Sequence, residues 1–311
     1  MTANRREFLH AAAGIGALAA LGSVTSARSR TDVEDNDVKP QRTFSISLAE
    51  WSYHSALQKG SMKHAEFAQV ARAKHGLGAV EYVNSFFKDK ARDTDYLKDL
   101  KTRADDQQVK ILLIMCDGEG DLGHAEKQKR TEAVENHKQW LDAARALGCH
   151  SIRVNVSGSG TRTDHMHQAA ESLQALAQLA DPLNLNVIVE NHGGITSDGA
   201  WLAGVMRKAD HKRVGTLPDF GNFKISDSEL YDRYQGVAEL MPWAKAVSAK
   251  SHDFDEKGEE TATDYTRMLK IVLDAGYRGY VGIEYEGSRL SEHDGVEATK
   301  RLLERVRSAA R

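Results

Sequence analysis

Val187-Ile188-Val189-Glu190-Asn191-His192 is an apolar, β-branched run that ends on an acid, and comparable run ends follow at Leu217-Pro218-Asp219, Lys250-Ser251-His252-Asp253 and Gly282-Ile283-Glu284. Glu190, Asp219, His252 and Glu284 stand 29, 33 and 32 residues apart. Each interval holds one strand and one helix, because a parallel crossover takes a dozen or more residues. Working outward, short apolar runs also occur at 43–48, 79–83, 110–115 and 151–156, which with 186–190, 214–217, 246–249 and 280–283 make eight. Helical periodicity fills the gaps. Over 132–147, Ala133, His137, Trp140, Leu141, Ala144 and Leu147 share one side, and Gly148 stops the helix. Thr94 is placed to cap a helix through Leu97, Ser197-Asp198 precede Trp201, Leu202 and Val205, and a last helix is expected over 295–308. Eight strands alternating with eight helices predict an α/β fold, a single (β/α)8 barrel. An open doubly wound sheet is the rival, but no Gly-x-Gly-x-x-Gly turn opens a helix, and polar residues end nearly every strand instead of clustering at one switch point.

The ends and the composition bound the rest. Arg5 and Arg6 lie in Asn-Arg-Arg-Glu-Phe-Leu ahead of an apolar run over 11–24. That run is shorter than the roughly 20 residues a spanning helix needs, and the pattern resembles a twin-arginine export signal. The expected organisation is a signal at 1–27 cut after Ala27, a polar lead-in at 28–42, and the barrel at 43–311. This predicts a periplasmic protein without stable membrane association once the signal is removed. Acids and bases are interspersed at a net charge of −3, so no field draws nucleic acid or anionic lipid, and the expected partner is a small molecule. Homo-oligomerisation is left open. Cys116 and Cys149, the only cysteines, fall at opposite ends of neighbouring strands and are expected as free, buried thiols.

An acid at the end of an apolar strand is costly if it points unpaired into a barrel. Three acids and an imidazole at one rim are reasonable ligands for a cation. Pairing of the acids with Lys250 and Arg153 is the alternative. Carboxylate-rich ligation with at most one histidine favours Mn²⁺ or Mg²⁺, with Zn²⁺ or Co²⁺ also accommodated.

Val-Glu-Asn-His-Gly-Gly at 189–194, Leu-Pro-Asp-Phe-Gly-Asn at 217–222, Lys-Ser-His-Asp-Phe-Asp at 250–255 and Gly-Ile-Glu-Tyr-Glu-Gly at 282–287 resemble the xylose isomerase-like barrels, the sugar phosphate isomerase/epimerase family. The resemblance covers about 43–310. It implies one metal held by a Glu, Asp, His, Glu set, with Glu190 and Glu284 as ligands and proton-transfer bases and Asp219 as a ligand alone. Many relatives carry the histidine where Ser248 stands, and often a second one where Asn222 stands. His252, which shares side-chain parity with Ser248 and Lys250, is therefore assigned as the fourth ligand. Lys250 is expected to face a substrate oxyanion, and Arg153, Asn155, His192, Glu81 and Trp51 to bind substrate, with His54, Asp117 and Phe87 walling the pocket.

The implied chemistry is removal of a proton next to a carbonyl through an enediolate. Return of the proton gives isomerisation or epimerisation. Departure of a β-leaving group makes the site a lyase or hydratase on 3-keto-glycosides. A barrel that binds metal and sugar without turnover is the non-enzymatic alternative. A DNA-cleaving branch of the fold uses three zinc ions and more strand-end histidines than this chain offers. Export favours an unphosphorylated sugar or keto-sugar.

Overall fold

Strands whose residues are apolar on both faces are buried on both faces, and parallel sheets covered by helices give that pattern. In the computed structural model, which describes residues 43–309, Ala79–Val83 is buried at every position, and so are Ser151–Val154 and Val214–Leu217. In chain order the elements are β1 (Ser45–Ala49), α1 (His54–Gln58), α2 (Phe67–His75), β2 (Ala79–Val83), α3 (Thr94–Asp106), β3 (Lys110–Met115), α4 (Lys127–Leu147), β4 (Ser151–Val154) and α5 (Arg162–Ala180). There follow β5 (Asn186–Glu190), α6 (Gly199–Ala209), β6 (Val214–Leu217), β7 (Lys224–Ser226), β8 (Glu229–Leu230), α7 (Arg233–Leu240), β9 (Val247–Ser251), α8 (Tyr265–Asp274), β10 (Tyr280–Tyr285) and α9 (Glu292–Ala309).

Eight of these strands form one parallel sheet in the order β6-β5-β4-β3-β2-β1-β10-β9. The sheet curls until its edges meet. Pro218 has no N–H to continue the ladder, so β6 and β9 are joined by isolated bridges, Thr216 with Ala244 and Asp219 with Ser248. Lys245 N donates to Thr216 O (3.0 Å), Ser248 N to Pro218 O (2.9 Å) and Phe220 N to Ser248 O (3.1 Å). The fold is the expected α/β barrel.

Strand alternation sorts the residues between two cores. Val187 and Val189, Val247 and Ala249, and Val281 and Ile283 face the helices in the large outer core, which includes Trp140, Tyr82 and Phe67. Ala49, Val83, Leu113, Met115, Ile188 and Leu217 form a small inner core. Inner positions above it are the polar ones. Gly282 belongs to the inward set, and a Cβ there would lie 2.5 Å from Glu81 Oε1, so the bare backbone makes room for a buried carboxyl.

Capping differs in detail from expectation. Asp93, not Thr94, caps α3 by accepting from Tyr96 N, while Asp198 caps α6 as read and Gly148 ends α4 at φ 76°. The β7–β8 hairpin was not foreseen: its three-residue and two-residue strands are too short for periodicity to register. Cys116 and Cys149 are free and buried. The export signal and lead-in expected over 1–42 lie outside the described residues, among which no helix is long and apolar enough to cross a membrane.

Candidate active site

The alternation that turns Ile188 inward also turns Glu190 inward at the end of β5, and the same parity brings Ser248 and Lys250 in from β9 and Glu284 from β10. Asp219 arrives through the β6–β9 seam. One ligand atom from each of Glu190, Asp219 and Glu284 lies within 4.8 Å of the others. All three are withdrawn from water, at 1%, 0% and 3% exposure.

Each acid has its own supports. Asp219 Oδ1 accepts from Gly221 N and Asn222 N (both 2.8 Å), and its backbone N–H donates to Asn191 Oδ1 (2.8 Å). Asn191 Nδ2 closes the clasp by donating to Asp219 O (3.0 Å) and Asn222 O (3.1 Å). Asn222 Nδ2 donates to Glu190 Oε1 (3.2 Å). Ser248 Oγ lies 2.8 Å from Asp219 Oδ2 and 2.9 Å from Glu284 Oε2. Lys250 Nζ is 3.1 Å from Glu284 Oε1, 3.2 Å from Glu286 Oε1 and 4.0 Å from Asp219 Oδ2.

Arg153 Nε lies 3.0 Å from Glu190 Oε2, yet neither atom has a hydrogen-bond partner. The pair is close but misaligned, a charge contact that leaves Glu190 Oε2 without a donor. Arg153 is itself fixed by Asp117 Oδ1 (2.6 Å), which also accepts from Asn155 Nδ2 (2.7 Å). Burial works against the Asp117 charge, but Arg153 holds this carboxyl below the usual range.

Burial pushes Glu190 up to about 7 against the opposing pull of Arg153, and Asp219 up to about 7 against that of Lys250. Burial likewise raises Glu284, but Lys250, with Ser248 and Arg153, reverses the direction and holds it below the usual carboxylate range. Glu81, 1% exposed on β2, is raised to about 7 by burial, with its Oε1 accepting from Ser47 Oγ at 2.6 Å. Glu81, Glu190, Asp219 and Glu284 are thus four buried carboxyls facing two buried cations, Arg153 and Lys250. The imbalance of two negative charges has to be met by protons or by a divalent cation. With all-oxygen donors and an unpartnered carboxylate oxygen, the residues fit such a cation.

His252 is not brought to this cluster. Strand β9 ends at Ser251, so the alternation that would aim His252 inward stops one residue short, and the side chain is exposed. His192 is exposed at the rim and, with Asn155, His165 and Thr196, lines a pocket of about 240 Å³. Trp51 stacks on His54 (ring centroids 5.0 Å apart) and contacts Phe86 (6.0 Å), and both Trp51 and Phe86 rest on the inner core. Phe87, expected in the pocket wall, instead packs edge-on against Trp140 in the outer core, 5.3 Å between centroids. Sequence reading overlooked Asn191 and Ser47 as supports. Their only signal is position, one residue after a ligand candidate and on the inward parity of β1.

A family model described as Xylose isomerase-like TIM barrel matches residues 69–308. Among curated proteins, the chain is 37% identical over 80 residues to the 3'-dehydrocarminate deglycosidase alpha subunit of Microbacterium sp. and 36% identical over 74 residues to the C-glycoside deglycosidase alpha subunit of Arthrobacter globiformis. These matches cover 24% and 23% of this chain, and the chain spans under a quarter of the relatives' own lengths, 23% and 21%. It is 26% identical over 184 residues to a putative hydroxypyruvate isomerase of Mus musculus, covering 53% of this chain and 65% of that one. Among solved structures, the IOLI protein with a bound zinc atom superposes with a TM-score of 0.67 at 13% identity over 86% of this chain and 99% of the other. The 3-keto-D-glucoside 4-epimerase of E. coli does so with a TM-score of 0.62 at 14% identity over 84% and 99%. By the extent of the family match and a barrel with its acids gathered at the strand ends, the chain belongs to the xylose isomerase-like TIM-barrel family.

Proposed function

We propose that this protein is a divalent-cation-dependent enzyme that moves a proton next to the carbonyl of an unphosphorylated sugar or keto-sugar, as an isomerase or epimerase. One observation carries the reading: Glu190, Asp219 and Glu284 each bring a carboxylate oxygen within 4.8 Å of the others in one buried cluster. Two carboxyls in one such cluster are placed to exchange protons with a substrate held against it. Glu190, Asp219 and Glu284 would hold the cation. When bound, it supplies Lewis-acid charge that makes a neighbouring C–H bond more acidic.

The chain's own residues do the rest. Ionised Glu284 accepts the proton from carbon, and Glu190 in its protonated form returns one. Lys250 faces negative charge that develops on the substrate oxygen, and Arg153, braced by Asp117 and Asn155, keeps Glu190 in place. His192 and Trp51 border the entrance. The zinc in the IOLI protein and the epimerase activity named for the E. coli neighbour support this reading.

The deglycosidase relatives favour a second outcome from the same first step. With a 3-keto-glycoside, the electron pair of the broken C–H bond forms a C=C bond while the β-leaving group departs. Export through the Arg5-Arg6 segment, which we also propose, suits unphosphorylated substrates of either kind.

Incubation of Mn²⁺-loaded protein with keto-sugars and 3-keto-glycosides in deuterated water, read by NMR, tests both outcomes. Deuterium on carbon that is lost in E190Q and E284Q supports the isomerase, and release of the aglycone supports elimination. A sugar that binds but never exchanges its proton would show a binding protein and sink the enzymatic reading.

A further inference from the structure

We infer that Ser248 supplies the fourth ligand and that the site is therefore an all-oxygen one, selective for Mg²⁺ or Mn²⁺ over zinc. This deepens the proposed function and rests on its cation site. Ser248 is 1% exposed, and its Oγ sits between two carboxylates, 2.8 Å from Asp219 Oδ2 and 2.9 Å from Glu284 Oε2. A hydroxyl has one hydrogen, so it can donate to only one of them. The other contact sets oxygen lone pairs against each other unless a proton or a cation lies between. Glu190 Oε2, in the same cluster, is buried without any hydrogen-bond partner.

The backbone fixes Ser248 in this place. Its N–H and C=O are both used across the seam, to Pro218 O and from Phe220 N, and it is in register with Gly282 on β10. No softer donor reaches the cluster among the described residues: His252 and His192 are exposed, and Cys116 is turned to the carbonyl of Ile114. Carboxylate and hydroxyl oxygens suit hard cations, whereas zinc sites ordinarily include imidazole or thiolate. Lys250, 4.0 Å from Asp219, adds a positive charge at the border of the cluster.

The test exchanges this one oxygen for sulfur. Mn²⁺ and Cd²⁺ binding to wild type, S248A, S248C and D219N is measured by calorimetry, with ultraviolet absorption for cadmium and circular dichroism to confirm folding. S248A should lose at least about tenfold in Mn²⁺ affinity. S248C should shift the Cd²⁺/Mn²⁺ preference at least about tenfold toward cadmium and show a sulfur-to-cadmium charge-transfer band, which a merely structural serine would not produce. Mn²⁺ binding that is lost in D219N but unchanged in S248A, with no charge-transfer band in S248C, overturns the role of Ser248 and leaves the cation site standing. Failure of wild type to bind Mn²⁺ overturns both.

Discussion

Replacing Lys250 with methionine should move stability and cation affinity in opposite directions. The ammonium lies 3.1 Å from Glu284 Oε1, an attraction of about 5 kcal/mol at an effective dielectric constant of about 20. Removing it strands a buried carboxylate, but the carboxyl can escape by taking up a proton. Relative to its ordinary value of 4.5, protonation at pH 7 costs about 3.4 kcal/mol, a cost that falls with pH. The pH dependence has a definite sign. In wild type the folded-state value is depressed, so Glu284 adds stability above 4.5 and loses it as the pH falls. In K250M the value is raised, so stability declines as pH rises above 4.5. The penalty should be up to about 2.5 kcal/mol larger at pH 7 than at pH 5. The same substitution removes a cation that repels a bound metal, so Mn²⁺ affinity should rise at least about tenfold, and saturating Mn²⁺ should restore most of the lost stability. Urea denaturation of the metal-free and Mn²⁺-loaded forms at the two pH values, with calorimetric titration, measures every term. A penalty that is equal at pH 5 and pH 7, or a weaker affinity for Mn²⁺, would refute the reasoning.

Three further outcomes follow from the same geometry. Glu81, raised to about 7, destabilises the fold whenever the solution is more basic than its unfolded value, so E81Q should gain up to about 3 kcal/mol at pH 8 and under about 1 kcal/mol at pH 5 in urea denaturation. Asn191→Ala unpairs the Asp219 N–H and C=O, while Asn222 O keeps the hydroxyl of Ser197, and should cost about 2 kcal/mol in stability and weaken Mn²⁺ binding in a fluorescence competition assay. His137, whose Nδ1 lies 2.7 Å from Ala133 O inside α4, is kept neutral by burial, so its contribution is intact above about 6.5 and is lost as pH falls below it; the acid branch of a stability–pH curve should be shallower in H137Q.

What could be read from the sequence depended on how regular the backbone is at each position. Glu190 and Glu284 lie within true strands, where side chains alternate strictly, and their inward direction followed from Ile188 and Gly282 two residues earlier. Eight apolar runs separated by helical periodicity were enough for the barrel. The parity argument failed at His252 because β9 had already ended, and two-residue periodicity has no meaning in the loop that follows. Phe87 was misplaced in the pocket wall for a similar reason, since it follows a turn after β2 where neither periodicity applies, and its neighbour Phe86 is the one beside Trp51. Ser248 was legible only as a missing histidine. A serine in a strand has no distinguishing pattern, and its importance comes from a bridge to Asp219 across elements that are neighbours only after the barrel closes. The hydrogen bonds of Asn191 lie beyond sequence for the same reason, being set by the loop after β6.

The weakest seam of the barrel and the site coincide, and Pro218 links them. A residue with an N–H at 218 would allow the β6–β9 ladder to continue and carry residue 219 along an extended strand. Without that N–H, the β6–β9 pairing is reduced to bridges at Thr216 and Asp219, and the chain turns beyond them so that Asp219 Oδ1 takes the N–H groups of Gly221 and Asn222 while its backbone is clasped by Asn191. The turn brings Oδ2 to Ser248 on the opposite edge, so the contact that helps close the barrel is also a contact within the acid cluster. Charge placed at the cluster should therefore be felt in the closure itself. Unpaired, the acids repel one another across the seam. Neutralised by protons or a divalent cation, they draw β5, β6, β9 and β10 together. Amide exchange at the seam, at Ser248 and Phe220 above all, should slow when Mn²⁺ is added, while exchange in β2 and β3 on the far side stays unchanged. Equal slowing throughout the sheet would mean that the cation stabilises the fold globally and that the seam has no special coupling to the site.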